Sequence, residues 1–121
     1  MSAIKTLREF SGLSNELPCL SDCTVIVVDA QKEYTQGLLP LFEIDKSICA
    51  LSDFLNKIRH NGVNVIHVVQ VGKADGKIFN AEGSLSEIID EVKPIDGEIV
   101  IEKKFPSSFT ETNLHEILQE M

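Results

Sequence analysis

The sequence predicts an α/β fold in which a parallel sheet is flanked by helices, and three observations predict it. Short, uninterrupted, β-branched runs occur at 23–30, 63–71 and 98–102, the mark of strands buried on both faces. Between the first two runs, apolar residues recur at 44, 48, 51, 55 and 58, spacings of three and four that describe one face of a helix. The first two runs close on Asp29 and Gln70 and the third delivers Lys103, polar groups at the ends where an open parallel sheet binds ligands.

The elements follow in order. Residues 1–22 are weakly patterned and are expected to form an arm that packs across a domain spanning 23–121. "CTVIVVDA" is the first strand, and 31–45, marked by Gly37 and Pro40, is expected to be a loop. The helix starts at Ile44 with Asp45 as a plausible N-cap and is stopped by "HNG" at 60–62. "VNVIHVVQV" is the second strand, which makes a βαβ unit with the first. "GKADGK" is a glycine-rich turn. "SLSE", with Ser84 and Glu87 three apart, reads as a capping box opening a short helix to about Val92. Pro94 and "DG" break it, and "EIVIE" is the third strand. Thr110 or Thr112 can cap a last helix with Leu114, Ile117 and Leu118 on its inner face.

At 121 residues the chain suits one domain, and 43% hydrophobic residues suit a packed core. The net charge of −8 argues against nucleic acid or an anionic membrane surface as the main partner. No apolar run approaches the ~18 residues of a membrane span. "MSAIKTLREFSG" has no apolar core of a signal peptide, so a cytoplasmic location is the expectation. Cys19, Cys23 and Cys49 are odd in number and loosely spaced, which disfavours disulfides and zinc; Cys49 falls in the helical pattern and reads as a small core residue. His67 reads as a core or rim residue, His60 as capped or solvated, and His115 as exposed.

If the strands are neighbours, a carboxylate, an amide and an ammonium meet on one rim. Such a group can orient a proton donor and hold a polar substrate atom. The plainer alternative is a surface ion pair worth about 0–1 kcal/mol.

"TVIVVDAQKEY" with "GLLPL", "NVIHVVQ" and "GEIVIEKKFPSSFTETNLHEIL" resembles the isochorismatase-like cysteine hydrolases, which include nicotinamidases. The likeness covers roughly 20–121 and implies a Rossmann-like sheet. The family's D-x-Q at the end of its first strand is matched by Asp29 and Gln31, and its strand-end lysine six residues before an aromatic is matched by Lys103 and Phe109. Lys104 is then the adjacent, non-catalytic lysine. What the resemblance implies is an Asp-Lys-Cys triad: the thiolate attacks an amide or related carbon, the Asp carries the thiol proton to the leaving amine, and the Lys holds both. Asp29 and Lys103 take the first two roles. Gln31, Gln70 and Phe79 are the candidates for substrate contact, with ordinary core packing the competing reading of Phe79. The family's metal-binding histidines after the second strand have no match in "HVVQVGKADGKIFN", so no metal and no other cofactor is expected.

The family's nucleophile follows a fourth strand, and this sequence ends after the third strand and one helix. None of the three cysteines matches it in order. The chain is therefore expected to be truncated, part of a longer hydrolase acting on a small amide, imide or related molecule; in a vinyl-ether variant Asp29 is a general acid. The other expectation is an inactive module that completes its sheet with a partner. In either case the first strand would be a bare apolar edge, inviting self-association or a homo-oligomer.

Overall fold

The computed structural model describes residues 3–121. Three parallel strands, β1 (Thr24–Val28), β2 (Asn64–Gln70) and β3 (Ile99–Lys103), form one sheet in the order β1-β2-β3. The register aligns Val28 with Val68 and Gln70 with Lys103. Asp29 extends the first ladder by one bond, donating its N–H to the Val68 carbonyl at 2.9 Å. Asp29, Gln70 and Lys103 thus leave the sheet at one rim.

The period-two alternation of β2 gives each face of the sheet its own core. Val65 joins Val27, Leu55, Ile58 and Val92 under the long helix, which we number third (α3, Ile44–His60). Ile66 and Val68 join Ile101 and Leu114 under the last helix, the fourth (α4, Leu114–Glu120), with Ile117 and Leu118 at its margin. Leu55 and Ile58 are fully buried, as the spacing within α3 requires. Helices therefore cover both faces. β1 and β3 are the two edges, and Val28 and Val100 are about half exposed, so these strands are not buried on both sides as their composition suggested.

Several local expectations are corrected. Residues 3–22 do not pack across the domain; they are exposed throughout and contain a helical turn (α1, Leu7–Phe10) held by a reciprocal Thr6–Glu9 capping box. The loop 31–45 contains a further turn of helix (α2, Glu33–Gln36). Residue 43, not Asp45, stands at the N-cap of α3, with Glu43 in a left-handed conformation and no side-chain cap. "SLSE" does not open a helix. Glu87 is extended and its carboxylate bonds Lys32 at 2.8 Å, leaving short 3₁₀ turns at Ser84–Ser86 and Asp90–Val92. Between them Ile88 forms an antiparallel bridge with Gln31. Asn113 takes the N-cap position of α4, although the Thr112 hydroxyl accepts the Leu114 N–H at 3.4 Å. Cys49 is on the solvent side of α3, not in the core.

Candidate functional site

Lys103 ends β3 with its side chain only 3% exposed. A buried ammonium is costly unless its donors are matched. Here Nζ donates to Gln70 Oε1 at 2.9 Å and to the carbonyls of Pro106 and Phe105 at 3.2 and 3.3 Å. It also lies 3.4 Å from Asp29 Oδ2. The bend "KKFPSSF" thus wraps back over the strand end so that its carbonyls face the lysine. Lys104, the next residue, points to solvent.

Asp29 has a φ of 58°. A non-glycine residue held in this region is a form of backbone strain that clusters at functional sites. The turn is closed by Gln31, whose N–H donates to the Asp29 carbonyl at 2.9 Å. One carboxylate oxygen, Oδ2, faces Lys103. The other, Oδ1, is buried and has no hydrogen-bond partner. Buried acceptors are nearly always matched, so an unmatched one beside Lys103 sets Asp29 apart from the other carboxylates of the described residues.

Asp29, Tyr34, Gln70, Ile78, Phe79, Lys103 and Pro106 surround an open depression of about 390 Å³. A second, more apolar hollow of about 440 Å³ lies on the other side of Asp29 and Tyr34, against Val28, Ile48 and Leu51. The reactive groups converge only in the first.

The other candidates divide. Gln70 lines the depression and accepts from Lys103. Phe79 lines it too and is 7% exposed, so it is both wall and packing residue; its ring meets Tyr34 edge-on at 5.4 Å. Gln31 is placed elsewhere. It is fully buried, donates both amide hydrogens to the Gln70 and Ser86 carbonyls at 2.8 Å, and accepts the Gln70 N–H at 2.8 Å. Both donors are consumed, so Gln31 ties the first strand's loop to the second rather than presenting a group to the depression.

Two residues were not singled out from sequence. Tyr34 lies on the wall between the two hollows, and burial, with the carboxylates of Asp29 and Glu33, pushes its phenol above the usual range. Glu33 is 1% exposed. The signal for both was the motif continuing beyond Asp29 and Gln31 as "QKEY", where a carboxylate precedes an aromatic.

Of the cysteines, Cys19 and Cys23 precede β1, at the end of the strand away from Asp29, and Cys49 lies on α3. The Ser21 hydroxyl and backbone hold the Cys19 thiol below its usual range, but its hydrogen bond is to Ser21, not to the site. His67 is in the core with Nε2 donating to Glu98 at 2.8 Å, and His60 and His115 are exposed. Among the described residues no group of histidines, cysteines and carboxylates could hold a metal ion. Nor is any helix among them long and apolar enough to cross a membrane.

The comparisons with known proteins bear on the family and the fold. The isochorismatase domain model matches residues 23–121. The secreted isochorismatase effector Isc1 of Verticillium dahliae is 34% identical over 116 residues, 96% of this chain and 61% of that protein. The crystal structure of an isochorismatase from Pseudomonas putida superposes with a TM-score of 0.88 at 36% identity, covering 98% of this chain and 60% of the other. N-carbamoylsarcosine amidase from Thermoplasma acidophilum superposes with a TM-score of 0.73 at 30% identity, over 80% of this chain and 60% of that one. The chain thus spans about 60% of the length of these relatives.

Proposed function

This chain belongs to the isochorismatase family, and from that premise we propose that it is part of a hydrolase acting on the C–N bond of a small amide, imide or related molecule. The observation that carries the reading is the Lys103–Asp29 pair at the C-terminal rim of the sheet, with Asp29 Oδ1 buried and unpartnered. In this reading a thiol from outside these 121 residues lies beside the Asp29 carboxylate at the open depression. Asp29 takes the thiol proton, the sulfur attacks the substrate carbon, and the proton passes to the leaving nitrogen. Lys103, already held by Gln70 and two carbonyls, keeps Asp29 in place and offsets the negative charge on the thiolate. The N-carbamoylsarcosine amidase among the similar structures supports C–N chemistry. The relatives named isochorismatase support a second reading, vinyl-ether hydrolysis with Asp29 as general acid.

The test extends the chain with the remaining segment of the Pseudomonas putida protein and assays amide cleavage, with nicotinamide and N-carbamoylsarcosine as substrates. Lys103→Ala is expected to lower kcat by about 10²-fold or more, the scale of a lost proton-transfer or charge-holding group, while Lys104→Ala keeps most of it. Equal losses at the two lysines would refute the assignment. The 121-residue chain alone is expected to cleave neither substrate, and Asp29-dependent cleavage by that pure chain would show that no outside thiol is needed.

A further inference from the structure

Glu33 has no part in the chemistry above, yet it is a buried carboxylate beside the site. Its side chain has no basic partner among the described residues; both oxygens accept from backbone. Oε1 takes the Leu38 N–H at 2.8 Å, and Oε2 takes the Phe79 N–H at 3.2 Å from a residue 46 positions away. Both contacts need an acceptor, so a carboxylate fits and an amide does not, since its NH₂ end would face an N–H.

The rest of the local structure makes room for this clamp. A Cβ on Gly37 would lie 2.3 Å from Glu33 Oε1, and one on Gly72 would lie 2.9 Å from the Ile78 carbonyl. The Gly72 N–H donates to the Phe79 carbonyl at 2.7 Å. Phe79 is thereby gripped through both its N–H and its C=O, in a left-handed conformation with φ of 49° that a free phenylalanine rarely visits. Its ring lies against Tyr34 and forms the apolar wall opposite Asp29 and Lys103.

We propose that Glu33 is a positioning residue that acts through Phe79: it holds the segment 78–79 in place as the substrate-facing wall of the Asp29–Lys103 depression. The functional half of this statement rests on the hydrolase reading; the structural half does not. Without the carboxylate the Phe79 amide loses its partner, the segment relaxes from its left-handed turn, and the wall moves away from Lys103.

The experiment uses Glu33→Gln with Glu87→Gln as the control, since Glu87 is exposed and bonds Lys32 instead. Hydrogen exchange at individual amides is read first. Exchange at Phe79 or Leu38, whichever amide then faces the glutamine NH₂, is expected to rise about tenfold or more in Glu33→Gln, the effect of one buried hydrogen bond lost. Exchange at Ile66, in the centre of the sheet, is expected to change far less. Equal acceleration at Ile66, or no acceleration at either Phe79 or Leu38, would overturn the proposal. Should Glu33→Gln fail to fold, the unaltered chain decides: Phe79 lies outside regular secondary structure, and rapid exchange at its amide would overturn the clamp. In the extended protein Glu33→Gln is expected to raise KM about tenfold with kcat nearly kept, opposite to Lys103→Ala. Absence of turnover in the unaltered extended protein sinks the hydrolase reading alone, and the exchange data still decide on Glu33.

Discussion

Lys103 and Glu98 are charged groups at opposite ends of the third strand, and both are reconciled with burial by hydrogen bonds. Around Lys103 the partners are an amide, two carbonyls and one carboxylate. Glu98 accepts from Arg59 through two nitrogens at 2.7 and 2.9 Å, from His67 at 2.8 Å and from the Ile95 N–H at 3.2 Å. Burial by itself would raise the Glu98 carboxyl, but these donors outweigh it and bring it down to about 2 from 4.5. The native state therefore binds this proton less readily than the unfolded chain does. The stabilisation is complete above about pH 4.5 and is lost as pH falls towards about 2. A shift of this size corresponds to a contribution on the order of 3 kcal/mol. Glu98→Gln is expected to lower the urea midpoint at pH 7 and to flatten its decline between those two pH values. An acid limb identical to that of the unaltered chain would show that another carboxylate carries it.

At the scale of elements, the third helix was legible because its apolar stripe repeats over four turns and ends in a glycine signal; its bounds, Ile44–His60, match the pattern. The strands were legible within two residues at either end. The short elements were not. "SLSE" carries a helix-start pattern, but Glu87 finds Lys32, 55 residues away, and the segment turns instead into a bridge with Gln31. The second helix, one turn at Glu33–Gln36, is too short to show a period. It exists because Glu33 is drawn inward to reach Leu38 and Phe79. Gly37 is the price of that geometry, since any Cβ there would overlap Glu33, whose backbone carbonyl stands 2.6 Å from that position. Gly37→Ala is expected to destabilise the chain by about 1–3 kcal/mol, as overpacking does, read as a lower thermal midpoint. No change would mean that Glu33 swings aside freely, against the clamp.

For the whole molecule, the consequence is a three-stranded sheet covered on both faces but open at both edges. The first strand has its next apolar residue, Val28, 47% exposed, and the apolar hollow beside it is uncovered. An unpaired edge of this kind is a template for another strand. The isolated 121-residue chain is expected to self-associate in a concentration-dependent way, measured by sedimentation, and Val28→Lys to shift it towards monomer; a monomer at all concentrations would sink the expectation. Local patterns sufficed for the three strands, the long helix between the first two and the fold class, because side-chain period is a property of short segments. That Asp29 and Lys103 meet at 3.4 Å was decided by the order and register of the strands, which no local period carries. Only the tertiary structure decided that Gln31 is a tie, that Glu33 and Phe79 form a clamp and that Asp29 keeps one oxygen bare. A buried polar group is defined by its partners, and Gln70, Ser86 and Phe79 lie 39 to 55 positions from the side chains they bond, brought together by strand crossovers that no local period records.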